Sequence, residues 1–108
     1  MNVQPLNPKL QQRADAIARA LSKGPAPEKI EKLCNWLADG ETVGDEYVAV
    51  ALLKFHRAHD SFHAFDVDGF NGGFNGLLDV MGMMLEYQRT AKRLLDFKAA
   101  GRLRKVSP

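Results

Sequence analysis

The sequence predicts an all-α fold: a small four-helix bundle, or an irregular helical array, with a long C-terminal helix. Three observations predict it. Apolar residues recur at helical spacing through four separate stretches. Glycine or proline punctuates the gaps between those stretches. No stretch shows convincing period-two alternation, the mark of a half-buried strand. The 108 residues suit a single domain spanning 1–108. With 45% apolar and 26% charged residues, the chain has the composition of an ordinary globular protein. A chain of this size can bury a core without disulfides or a structural metal.

The first helix is predicted to open at Asn7-Pro8, a capping residue followed by proline at the first helical position. Leu10, Ala14, Ile17, Ala18 and Leu21 supply its apolar line, and Gly24-Pro25 ends it. The second opens near Pro27-Glu28, carries the stripe Ile30, Leu33, Cys34 and Leu37, and stops at Gly40. The third is expected to start at Thr42, with Asp45 three residues on in the manner of a capping box. Its apolar line is Val48, Ala51, Leu52, Phe55 and Phe62. The fourth runs from about Phe74 to Ala99 and stops at Gly101, a rod of roughly 39 Å at 1.5 Å per residue.

This last helix carries two apolar stripes. One comprises Phe74, Leu77, Leu78, Met81, Met84, Leu85, Ala91 and Leu95; the other comprises Val80, Met83, Tyr87, Leu94 and Phe97. Together they cover more than half the circumference, more than three short helices are expected to hide. The second stripe is therefore expected to meet another copy or a protein partner through Met83, Tyr87 and Leu94. Between the third and fourth helices, Gly-Phe-Asn-Gly occurs twice in tandem at 69–72 and 73–76. Loops held on rigid helices often carry recognition, so Phe70, Asn71 and Phe74 join the expected contact surface. Asn71 or Asn75 could cap the fourth helix. A calcium loop in this region would lack carboxylates at both end positions. A phosphate loop would lack its Gly-Lys-Ser/Thr and a leading strand.

All three histidines fall within eight residues, His56, His59 and His63, with Asp60 among them. On a helix the three rings occupy a wedge of about 60°. His59 and His63 at i, i+4 can grip one divalent transition metal, and His56 and Asp60 form a second such pair. His56 and His63 lie about 10 Å apart along the axis, so one ion is not expected to take all three rings. Further ligands would have to come from Asp66, Asp68 or another subunit. Catalytic signatures are lacking: there is no His-Glu-x-x-His and no glycine-flanked serine elbow, and Cys34 sits on a core stripe. Glu28 and Glu31 have no second acidic pair with which to hold Mg²⁺.

Charge is uneven. Residues 86–108 hold seven basic and two acidic side chains, a net of +5, against −3 for residues 1–85. Residues of about 101–108 read as a basic tail. Arg89, Arg93, Arg102, Arg104 and Lys105 could neutralise phosphates, although no nucleic-acid reading module is recognisable. The single cysteine permits no intrachain disulfide, and the first residues lack the apolar stretch of a signal peptide. A cytoplasmic setting without a membrane span is expected. The reading is a non-enzymatic interaction or regulatory protein that binds a protein partner stoichiometrically, as a homo-oligomer and without a cofactor. That suits an accessory protein or inhibitor of a phage or mobile element. The alternatives are a metal-dependent enzyme or metal-binding protein using the histidine face, and a nucleic-acid-binding accessory protein using the basic end.

Overall fold

The computed structural model describes residues 8–64 and 73–106 of the chain. Four helices form the fold: α1 (Pro8–Lys23), α2 (Pro27–Ala38), α3 (Glu46–His63) and α4 (Gly73–Ala99). Two short strands, β1 (Thr42–Val43) and β2 (Arg104–Lys105), complete it. The fold is all-α, as the apolar periodicity predicts. Among the described residues no helix is long and apolar enough to cross a membrane.

Helix α4 is the spine, and α1, α2 and α3 all pack on it. The main core lies where α2 and α3 meet its second half. Ile30 and Leu33 come from α2, Val48, Ala51 and Phe55 from α3, and Tyr87, Ala91 and Leu94 from α4. Leu103, just beyond α4, closes the cluster at 1% exposure. Each fully buried Leu or Phe side chain contributes about 1.5–3 kcal/mol through the apolar surface it removes from water. Thr90, the buried polar residue on this face, donates its hydroxyl to the Glu86 and Tyr87 carbonyls, both at 3.0 Å. Its polar atom is thus satisfied within its own helix.

The start of α3 differs from the expectation. Thr42 does not cap the helix. Asp45 does, with its Oδ1 accepting the Val48 N–H at 3.0 Å. The three residues gained by starting later free Thr42 and Val43 to pair antiparallel with Lys105 and Arg104. The Val106 N–H extends the pairing to the Glu41 carbonyl at 3.0 Å. Two-residue strands are too short to leave an alternating pattern, so the sequence carries no sign of them.

The end of the chain also differs. Residues 101–106 are a folded return rather than a tail. Gly101 adopts a φ of +75°, a conformation glycine takes without steric cost. The chain then turns back, and the Arg102 and Leu103 N–H groups reach the Phe97 carbonyl at 2.9 and 3.2 Å. Such returning bonds satisfy carbonyls left open at a helix end.

Two of the three residues expected on a partner-facing stripe of α4 lie inside. Leu94 is fully buried and Tyr87 is 9% exposed, both in the main core. The reason is geometric: α2 and α3 straddle the second half of α4 and cover both of its stripes there. A polar substitution at either position therefore strikes the core. Met83 is half-buried. Phe70 and Asn71 lie outside the described residues, as does the Phe74 side chain. Asn75 falls within α4, and its side chain lies outside what is described.

The molecule is elongated. Its radius of gyration is 16.9 Å, and its principal extents are 63 × 26 × 23 Å. A compact chain of this length would have a radius of about 13 Å. Helix α1 has no fully buried residue. Leu10, Ala14, Ile17 and Leu21 are half-buried, and Ala18 is exposed. The helix reaches α4 beside Gln88, whose Nε2 donates to the Pro25 carbonyl at 3.4 Å.

Candidate interaction surfaces and the histidine groove

Helices α2 and α3 pack on α4 and hardly on each other, which leaves a groove between them with α4 as its floor. Its larger part is a cavity of about 490 Å³. Pro27, Ile30, Glu31 and Cys34 line it from α2; His59, Phe62 and His63 line it from α3. Met84, Tyr87 and Gln88 form the floor. A second depression of about 270 Å³ continues from it past Leu37, Leu52, Phe55 and His56, and shares Cys34 and His59 with the first. All three histidines therefore stand along the α3 rim.

Helical spacing arranges the rings in sequence. The His59 and His63 rings are 4.3 Å apart, centre to centre, and tilted by 48°. Both approach Tyr87 edge-on, at 5.7 and 5.8 Å. Tyr87 is itself stacked between Phe55 and Phe62, with both ring centres 5.5 Å away. Burial pushes the Tyr87 phenol above its ordinary pKa, and its contact with the Cys34 thiol at 3.6 Å acts in the same direction. The His59 Nδ1 lies 3.2 Å from Asp60 Oδ1. His56 faces the other depression beside Phe55, with a ring distance of 6.0 Å. The expected quartet of His56, His59, Asp60 and His63 thus divides. Among the described residues no group of three or more side chains forms a metal-ligating set. What the helix does bring together is the pair His59 and His63, with Asp60 behind the first.

The basic end is largely committed to the fold. Arg102 donates Nη2 to Asp45 Oδ2 at 2.8 Å, and its guanidinium lies 4.5 Å from the centre of the Phe97 ring. Lys105 donates its ammonium to the Trp36 and Asp39 carbonyls at the end of α2, where a cation meets the negative end of the helix dipole. Its ammonium also sits 4.6 Å from the Trp36 ring centre. Arg93 lies over Phe97 at 5.3 Å. Arg89 and Arg104 are exposed. Two of the five residues expected to meet phosphates therefore clasp α2 and the α3 cap instead, a task that side-chain charge alone does not announce. The Asp45 carboxyl is held below its ordinary 3.8 by the Val48 N–H and then by Arg102.

The outer face of α3 carries a surface that the sequence reading does not single out. Tyr47, Val50 and Leu53 are 65, 53 and 51% exposed. They form an i, i+3, i+6 row pointing away from the core. Val43, 36% exposed, lies just before the helix. Glu46 and Lys54 flank Val50 four residues to either side, each about 40° from it around the helix. Neither has an ion-pair partner among the described residues. The signal is present in the sequence: Tyr47, Val50 and Leu53 are apolar positions outside the core stripe of α3. It is hidden because single exposed apolar residues are common on any surface.

The chain has no significant match among protein-family models, curated proteins or solved structures.

Proposed function

We propose that this chain is a small interaction protein that works by stoichiometric protein binding, and that it docks through the outer face of α3 onto a second copy of itself. The supporting observation is the solvent-facing row Tyr47, Val50 and Leu53 between two opposite charges that have no ion-pair partner among the described residues.

The pattern is self-complementary. A two-fold axis through Val50 brings two α3 helices together antiparallel. Residues equidistant from Val50 then stand at the same level: Glu46 comes within reach of Lys54 across the seam, while Tyr47 and Leu53 flank Val50 on its two sides. Apolar residues at the centre and opposite charges across the rim suit a closed isologous dimer. Charges at the rim of such a contact set register more than affinity. The row is one helix wide, well short of the ~800 Å² per partner of a standard stable interface. Association is accordingly expected in the micromolar range.

The committed state of Arg102 and Lys105 favours this reading over a nucleic-acid role. Both cations already have internal partners that phosphate would have to displace.

Sedimentation equilibrium between about 1 and 500 µM tests the proposal, a range that spans micromolar dissociation constants. Wild-type protein is expected to shift from monomer to dimer. Val50→Glu should raise the dissociation constant at least tenfold without loss of helix content, because Val50 is half exposed and contributes nothing to the core. Glu46→Lys and Lys54→Glu should each weaken the dimer, and the double exchange should restore it. A chain that stays monomeric throughout, or a Val50→Glu variant with unchanged mass, overturns the proposal.

A further inference from the structure

The histidine groove carries chemistry that a docking face on the opposite side of α3 does not use. We infer that His59 and His63 form an open, two-imidazole site for a divalent transition metal, with Asp60 as the residue that orients His59.

Three observations converge on it. The first is ring spacing. An imidazole that ligates through a nitrogen about 2.1 Å from the ion has its ring centre about 3.2 Å from it. Two rings 4.3 Å apart then subtend about 85° at a shared ion, close to the cis angle of a tetragonal or octahedral site. The i, i+4 spacing supplies this separation directly, so little side-chain ordering is left to pay on binding. The second is the carboxylate behind the ring. Asp60 Oδ1 lies 3.2 Å from His59 Nδ1, and an ionised carboxylate there requires the proton on Nδ1. That leaves the Nε2 lone pair free, the usual arrangement around a ligating histidine. The third is the setting. Both rings line the 490 Å³ cavity, and its Ile30, Phe62 and Met84 walls leave room beside the pair. Two protein ligands leave several positions for water or an incoming ligand, as in sites that bind substrate rather than in closed structural ones.

The pair selects the ion class. Neutral imidazole suits nickel, cobalt, copper and zinc, whereas magnesium and calcium prefer oxygen donors. His56 stands outside the site, and Asp60 does not ligate.

Nickel and cobalt are the probes, because neither oxidises the Cys34 thiol as copper would. The full untagged chain is titrated calorimetrically with each ion, and cobalt is also followed by its visible absorption. One equivalent is expected to bind. His63→Ala and His59→Ala should each weaken binding at least tenfold, and Asp60→Ala by about 10–100-fold through the lost orienting bond. His56→Ala should leave affinity unchanged. Circular dichroism of each variant separates lost ligation from lost helix, and the exposed position of His63 makes its variant the safer one. The absence of one-to-one binding overturns the assignment, as does a loss on His56→Ala equal to that on His63→Ala.

Discussion

Helices α1 and α3 pack on the same spine, yet they hold it by different means. Helix α3 buries Val48, Ala51 and Phe55 almost completely. Helix α1, with an equally regular apolar line, buries no residue fully. The difference is one of enclosure. The inward face of α3 meets α4, and Leu103 and the α2 side chains close the cluster from other directions. Helix α1 contributes no residue to that cluster. Periodicity decides that a segment is helical and which face turns inward. The number of neighbours around that face decides how much free energy the burial returns.

The contrast is sharpest in the core. Phe55→Ala removes a side chain only 1% exposed and is expected to cost about 3–5 kcal/mol in chemical denaturation. Ile17→Ala on half-buried α1 should cost about 1 kcal/mol, near the centre of ordinary point mutations. Equal losses at the two positions would show that α1 is enclosed as tightly as α3.

The returning C-terminal residues belong with the core by the same criterion. Leu103→Ala should cost about 2–4 kcal/mol, as expected of a core leucine and not of a residue in a basic tail. A melting temperature within a degree of wild type would place Leu103 outside the cooperative unit.

The smallest expected effect concerns the α3 cap. The carboxyl of Asp45 titrates below its ordinary value in the folded chain, so the folded state binds this proton less readily than the unfolded one. The resulting stabilisation is present above about pH 4 and is lost as pH falls through the depressed folded value. Solvent screens the exposed pair with Arg102, so the effect is modest. Asp45→Asn should keep the cap, because asparagine also accepts the Val48 N–H, while flattening the stability profile below about pH 4. An unchanged profile in that variant would assign the acid sensitivity to other carboxylates.

Much of the fold is legible without coordinates. The stripes Ile30-Leu33 and Val48-Ala51-Phe55 are read correctly as core, because repeated apolar spacing identifies a buried helix face. The positions of Tyr87 and Leu94 are not legible in the same way. They lie on an apolar stripe, and the sequence shows that such a stripe needs cover without showing which neighbour supplies it. Lys105 and Arg102 have the same history: each is a plain surface cation in the sequence and an internal clasp in the fold, because partners 57 to 69 residues away decide its role. The histidine pair is intermediate. Its i, i+4 spacing is local and readable, whereas its separation from His56 depends on the groove that α2 and α4 build around it.

By itself the sequence determined what depends on near neighbours: four helices, their inward faces, the glycine that ends α4, and the shared helical face of His59 and His63. Backbone propensity and helical geometry act over a few residues and need no further context. Tertiary structure alone decided which apolar stripes are covered, where the C-terminal cations go, and that Tyr47, Val50 and Leu53 remain in water. These outcomes follow from packing between segments distant in the chain, where one side chain's surroundings are set by all the others.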